Sequence, residues 1–359
     1  MGDTPRKIGL IGRVDPEGTM FDGQTVKTRT VWRMLRERYG AENVVTVETL
    51  GYKREPLRVW REWRRCVAEC DDIVVSLSHN GRRLFFPLLK REAERHGKRV
   101  YHDLIGGWLV RDCGREPKLP ALLSSFEVNW VESADLVEGL KKFGVENVEF
   151  LPNFKQIEPL APEELEQPSA APRRLCTFSR VMEEKGILDA IAAVARLNAE
   201  DGAGSWELDI YGPVDDGFQR SLDEALTAEP AARYCGSVSP EESVGAVRPY
   251  WALLFPTKWK PEGFPGTVID ALAAGVPVVA SRWRYYGEML ADGETGASCE
   301  FGGGADELVG AIRELEVLEA EGRMMHVKRC CLERAKSYSA EELFGRMCER
   351  IESNWSDRA

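Results

Sequence analysis

Two doubly wound parallel-sheet domains facing a cleft, an α/β architecture, are what this sequence predicts, and three observations carry that expectation. Strand-like apolar runs alternate with helical stretches, the alternation halts at a proline-rich segment and restarts, and 359 residues exceed one ordinary core. The first series of strand-like runs is KIGLIG, NVVTVET, DIVVSLS, KRVYHD, FEVNWVES and NVEFLPN. Between residues 151 and 174, Pro152, Pro159, Pro162, Pro168 and Pro172 interrupt any regular element, which predicts a hinge. The second series is LCTFSR, WELDIYG, ARYCGS, ALLFPT and VPVVAS. The expected boundaries are a first domain over 1–155, a hinge over 156–173, a second domain over 174–338 and a terminal helix over 339–359.

Composition excludes several classes. The apolar and charged fractions are those of a soluble globular chain, and no stretch reaches the ~20 apolar residues that span a bilayer. MGDTPRK lacks the apolar core of an export signal, so a cytoplasmic location is expected. Nine scattered cysteines argue for reduced thiols, and four scattered histidines without paired cysteines give no zinc signature. Residues 1–165 carry a net charge of +1 and the remaining 194 a net of −12, an acidic balance unsuited to nonspecific nucleic-acid binding.

The segment KWKPEGFPGTVIDALAAGVPVVAS, residues 258–281, sets Glu262 and Asp270 on either side of a glycine-broken turn and the start of a helix. WALLFP before it reads as a strand, and TVIDALAAG reads as a helix with a glycine where it should stop. Ligands of open α/β sheets collect at the carboxyl ends of strands, where helix N-termini offer free N–H groups to anions and hydroxyls. Gly263 and Gly266 let the main chain approach a ligand closely. The arrangement suits a nucleotide-linked sugar. Upstream, LCTFSRVMEEKGILDAIAAVARLN ends a strand at Ser179–Arg180 and starts a helix after Lys185–Gly186. Towards an anion, Arg180 is a two-pronged donor and Lys185 a mobile point charge. The alternative is a surface salt bridge to Glu183 or Glu184.

These two segments resemble the signatures of the retaining glycosyltransferases of family 4, which have the GT-B arrangement of two Rossmann-like domains. The resemblance implies that Glu262 contacts hydroxyls of the donor sugar and that Gly263, Phe264, Pro265, Gly266 and Thr267 line the donor. It assigns the ribose to Asp270 and the diphosphate to Arg180 and Lys185. The second acid of the family is usually Glu, and Asp270 reaches one methylene less, roughly 1.5 Å.

Further matches lie in the first half. KIGLIGRV and EGTMFDGQTVKTRTVWRML stand where the family has a glycine-rich loop facing the diphosphate and acceptor, and only Gly23 of Asp22-Gly23-Gln24 carries over. Gly9 and Gly12 lack the third glycine of a dinucleotide fingerprint. In KRVYHDLIGGWL, His102 matches a family histidine close to the donor sugar; the alternative is a structural histidine. Asp103 is a candidate to orient that ring or contact the acceptor, and Glu288, in YYGEML, is a candidate base or ribose contact. SLSHNG, VYHDLIGGWL and VESADLVEGLKKFGVENVEFLPNF look most like the bacterial polysaccharide-building branch. As in relatives, the last helix, SAEELFGRMCERIESNW, is expected to pack back on the first domain.

One stretch is locally basic. YKREPLRVWREWRRC holds Lys53, Arg54, Arg58, Arg61, Arg64 and Arg65 against Glu55 and Glu62, with Trp60 and Trp63 among them. After Pro56 this reads as a helix whose arginines meet an anionic membrane surface while Leu57, Trp60 and Trp63 enter it. The alternative is an ordinary amphipathic helix with Trp60 in the core. NGRRLFFPLLKREAERHGKR reads as a helix packed by Leu84, Phe85, Leu88 and Leu89 with its charges in water.

The resemblance implies transfer of a hexosyl group from a nucleoside diphosphate sugar to a hydroxyl of a growing polysaccharide or lipid-linked glycan, with anomeric retention and neither metal nor cofactor. No protein nucleophile is evident, which favours same-face attack with the leaving phosphate as base. A phosphorylase, an epimerase or a silent nucleotide-sugar-binding module are the alternatives.

Overall fold

The computed structural model describes residues 6–20, 22–167 and 172–356. Pro168 and residues 1–5 of the segment read for an export signal lie outside them. No helix of the described residues is long and apolar enough to cross a membrane. The chain forms two compact units, one of Met1–Lys155 with Ala340–Ala359 and one of Gln156–Ser339.

In the first unit the elements are β1 (Ile8–Gly12), α1 (Gly23–Tyr39), β2 (Val44–Glu48), α2 (Pro56–Glu69), β3 (Asp72–Ser76), α3 (His79–His96) and β4 (Arg99–Asp103). They continue with α4 (Leu109–Arg115), α5 (Leu119–Leu123), β5 (Val128–Val131), α6 (Ala134–Lys141) and β6 (Val148–Phe150). The second unit holds β7 (Arg173–Phe178), α7 (Ile187–Asp201), β8 (Trp206–Tyr211), α8 (Gln219–Ala228), β9 (Ala232–Tyr234), α9 (Ser243–Val247) and β10 (Ala252–Phe255). It goes on with α10 (Gly266–Ala273), β11 (Val278–Ser281), α11 (Tyr286–Met289), β12 (Gly296–Cys299), α12 (Gly304–Ala320) and α13 (Met324–Lys336), after which α14 (Ala340–Ser356) returns to the first unit.

Both sheets have six strands, ordered β2-β1-β3-β4-β5-β6 and β12-β11-β10-β7-β8-β9, and every pairing is parallel. Buried on both faces, such strands read as continuous apolar runs, which is why IGLIG and DIVVS were visible. β12 was not expected: Gly296, Ala297 and Ser298 lack the branched side chains that mark a strand. Gly296 has φ 147°, and a Cβ there would stand 1.9 Å from the Val278 carbonyl oxygen. Only glycine lets β12 approach β11.

Right-handed crossovers place α1 on one face of the first sheet and α2 and α3 on the other. On the α1 face, Val31 and Leu35 share a core with Ile8, Leu10, Tyr101 and Trp130 and with Leu343, Phe344, Met347 and Ile351 of α14. The end of α14 is tied down by Trp355 Nε1, which donates to Asp72 at 3.0 Å, and by Asn354, which donates to the Tyr101 hydroxyl at 3.0 Å. On the opposite face α2 packs so closely that a Cβ on Gly9 would lie 2.5 Å from Cys66 Sγ. Gly9 serves helix packing there.

Two expectations about helices need correction. Trp60 is not in the core: Trp63 occupies that place, buried beside Phe85 and so withdrawn from any outer surface, while Trp60 stays 53% exposed. The helical spacing of Val59, Trp63 and Cys66 sets the buried stripe, and Trp60 falls outside it. In α3, Phe85, Phe86 and Leu89 are buried but Leu84 is 48% exposed.

Candidate functional site

The chain order of the second sheet reverses between its central neighbours β7 and β10, so the loops leaving these two strands open a crevice at their carboxyl ends. The first loop carries Ser179, Arg180 and Lys185, the last in a single 3-10 turn, Glu183–Lys185, that runs through Gly186 into α7. The second carries residues 256–265 and ends at α10.

Glycine fixes how closely these loops meet. Gly186 has φ 69°, and a Cβ there would sit 2.1 Å from the Pro256 carbonyl oxygen. Gly212, after β8, has φ 130°, and its Cβ would sit 1.8 Å from the Ser179 carbonyl oxygen. The Lys258 amide donates to the Glu184 carbonyl at 2.7 Å, which pins the turn to the loop after β10.

Lys185 is brought onto Glu262. Its ammonium donates to Glu262 Oε2 and lies 5.5 Å from the Phe255 ring centroid. The same carboxylate oxygen accepts the Thr257 hydroxyl proton at 2.9 Å. Thr257 is fully buried, its hydroxyl accepts the Trp259 amide at 3.1 Å, and its carbonyl accepts the Ser281 hydroxyl at 2.6 Å. The carboxylate therefore has a fixed position on the loop. Trp283 Nε1 donates to the Gly263 carbonyl at 3.1 Å, and Phe264 is buried beside Tyr285 and Tyr338. The backbone from Gly263 is thereby anchored from behind.

Pro265 caps α10, and Gly266 and Thr267 form its first turn, where amides are free to bind a ligand. The Thr267 hydroxyl is buried without a hydrogen-bond partner among the described residues. Asp270, one turn further, is buried on the same helix. Arg180 is half-exposed and pairs with Asp215 at 3.1 Å, so its partner is neither Glu183 nor Glu184. Glu288 lies on α11, partly buried, with its carbonyl 3.4 Å from the Tyr338 hydroxyl.

In the first unit, His102 is fully buried inside β4 with its ring turned towards α3, 5.0 Å from Phe86 and 6.3 Å from Phe126 between centroids. Its Nδ1 lies 3.1 Å from the Asn129 side-chain oxygen. Burial, helped by the nearby charge of Arg82, lowers its pKa to about 3, so the ring is neutral at physiological pH. Asp103, on the opposite face of the strand, meets Lys27 at 2.8 Å, and Lys27 also lies 3.9 Å from Glu132. Burial raises the Asp103 carboxyl despite the opposing charge of Lys27. Glu132 accepts the Gly106 amide at 3.0 Å, which ties these buried charges to the loop after β4. His102 and Asp103 thus belong to different layers, and Asp103 does not touch the imidazole.

Gly23 is the exposed first residue of α1, whose cap is Asp22; the Asp22 carboxylate accepts the Thr25 amide at 3.2 Å and pairs with Arg13. The loop before it is shaped by Asp15, at φ 48°, whose carboxylate binds Arg29 at 2.8 Å and the Met20 amide at 2.7 Å. Thr257, Asp215 and Trp283 went unseen in the sequence, although a polar residue just past a buried strand end, such as Thr257 after Phe255 and Pro256, was a usable signal.

A search of solved structures finds the fold in characterised proteins. Anabaena HepE, solved in complex with UDP-glucose, superposes with a TM-score of 0.70 at 14% identity over 97% of this chain and 99% of that one. Sucrose-phosphate synthase from Thermosynechococcus elongatus superposes with a TM-score of 0.74 at 14% identity over 98% and 100%. At such identities the likeness shows the fold alone, the two-sheet GT-B arrangement. A glycogen synthase of Mycobacterium tuberculosis is 30% identical over 135 residues, 37% of this chain and 31% of that protein. The match thus spans less than a third of the relative's length. Residues 172–316, which hold the whole crevice between β7 and β10, match the family model of Glycosyl transferases group 1.

Proposed function

We propose that this chain is a retaining, metal-independent glycosyltransferase of family 4. It moves a hexosyl group from a nucleoside diphosphate sugar to a hydroxyl of a growing polysaccharide or lipid-linked glycan. The observation that carries the reading is the pairing of Lys185 with a pre-positioned Glu262 at the switch point, beside the free amides of α10. A diphosphate entering there competes with Glu262 for the ammonium, and the released carboxylate is left facing the sugar hydroxyls. Arg180 supplies a second cation in the same loop. In this reading the two cations neutralise the diphosphate.

In this reaction the bond from the anomeric carbon to the phosphate oxygen breaks while the acceptor oxygen bonds the same carbon from the same face. The acceptor proton passes to the departing phosphate, so no protein nucleophile is needed. Asp270 takes the ribose and the α10 amides take the phosphate, while the first unit serves the acceptor side, with Gly23 facing the diphosphate, His102 close to the donor sugar and Asp103 towards the acceptor. His102, buried and neutral, acts through packing or through a ring movement. UDP-hexoses are the first donors to test, because HepE was solved with UDP-glucose.

The test is incubation with a panel of nucleoside diphosphate hexoses and simple glycoside acceptors in EDTA, with the product followed by proton NMR. Formation of a glycoside with the donor's anomeric configuration supports the reading. An inverted product, or sugar conversion without acceptor, contradicts it.

A further inference from the structure

α2 and α3 lie side by side on one face of the first sheet, locked by Trp63 against Phe85 with ring centroids 5.7 Å apart. Their outer surface combines two features that rarely meet on a solvated face. The first is large exposed apolar side chains: Leu57 at 70%, Trp60 at 53% and Leu84 at 48%. The second is a set of cations without acidic partners.

The acids of both helices are already engaged. Arg58 holds Glu55 and Glu62, Glu69 takes Arg65 and Lys7, Lys90 takes Glu94, and Glu92 faces His96. Among the described residues this leaves Arg61, Arg64, Arg91 and Arg95 exposed with no ion pair. On α2, Leu57, Trp60, Arg61 and Arg64 recur at helical spacing, so the apolar tips and the unpaired charges share one stripe. Lys53 and Arg54, just before the helix, extend the cationic end.

From this we infer that the α2–α3 face docks on an anionic phospholipid bilayer, Leu57, Trp60 and Leu84 entering the headgroup boundary and the arginines bonding lipid phosphates. Helices of this kind lie in the interface plane, and long cationic side chains bury their stems while their heads stay with the phosphates. Charge complementarity selects the occupant. A second copy on the same face would oppose arginine to arginine, and a nucleic acid would leave the three apolar tips without a partner in a chain of net charge −11. A lipid surface satisfies both sets at once.

Flotation with vesicles tests this independently of the donor site. Wild type, an Arg61→Glu/Arg64→Glu variant and a Trp60→Ser/Leu84→Ser variant, each with an unchanged thermal transition, are mixed with phosphatidylcholine vesicles with or without phosphatidylglycerol. Wild type is expected to float only with the anionic vesicles and to be released by high salt. Each juxtamembrane arginine contributes about a fivefold factor in partition, so the charge variant should lose at least tenfold. The apolar variant should also lose recovery. Failure of folded wild type to float, or recovery of either variant equal to wild type, overturns the proposal. Capture by heparin without flotation overturns it in favour of a polyanion site.

Discussion

Lys185 Nζ donates to Oε2 of Glu262, an oxygen that also accepts the Thr257 hydroxyl proton at 2.9 Å, so a cation and a carboxylate proposed for opposite ends of one donor hold each other. The pair keeps both charges satisfied in a partly buried crevice without ligand. It also makes the resting position of Glu262 depend on Thr257.

Thr257→Val removes that donor and keeps the shape of the side chain. The expected outcome is a fall in kcat of roughly tenfold, the size of one hydrogen bond to a charged group, with little change in KM. Thr257→Ser should restore most of it. A kcat in Thr257→Val equal to wild type, measured by steady-state turnover, would remove Thr257 from the site.

Lys185→Ala leaves Glu262 with Thr257 and deprives the leaving group of a cation. Turnover should drop by about 10²–10³, as for loss of one preorganised charge, while the melting temperature moves little. Near-normal turnover would contradict the role given to Lys185.

Gly186→Ala and Gly212→Ala place a Cβ within 2.1 Å and 1.8 Å of a backbone carbonyl oxygen, at φ values that side chains rarely adopt. Each should cost on the order of 2 kcal/mol or more of stability, read as a lower urea midpoint. Tolerance of alanine at both positions would mean that the loop after β7 does not meet those after β10 and β8 as described.

His102 gives a pH signature. In the unfolded chain its ring takes a proton near pH 6.5, but in the folded chain only near 3, so between these values the unfolded state holds more protons. Stability should therefore fall as pH drops from 6.5 towards 3, on the order of 1 kcal/mol per unit from this group. The raised carboxyl of Asp103 acts in the opposite sense above its unfolded value of 3.8. Comparison of wild type with His102→Phe isolates the ring. The urea midpoint of the variant should fall less between pH 7 and 5, and equal falls would show that the imidazole is not held neutral.

The strands with branched apolar residues were legible in the sequence because burial on both faces leaves continuous runs. β12 was not, since small residues chosen for close approach carry no strand signal. Within the crevice, Lys185 and Glu262 were legible because each sits in a contiguous loop-to-helix pattern. Asp215 was not, because its contact with Arg180 crosses from the loop after β8 and no spacing announces it. His102 shows a third limit: its place near a strand end was readable, but the choice of face, set by Phe86 and Phe126, was not. For Trp60 the helical period was readable, but its phase was misassigned by one residue, because Val59 and not Trp60 shares the buried stripe with Trp63 and Cys66.

The central claim is that the crevice between β7 and β10 binds a nucleoside diphosphate through Arg180 and Lys185. Calorimetric titration of UDP, GDP, ADP and dTDP in EDTA, into wild type and an Arg180→Ala/Lys185→Ala variant, tests it most directly. One preferred nucleotide bound by wild type, and bound about a hundredfold more weakly by the variant, is the predicted result. No binding by folded wild type, or equal binding by the two proteins, would contradict the account.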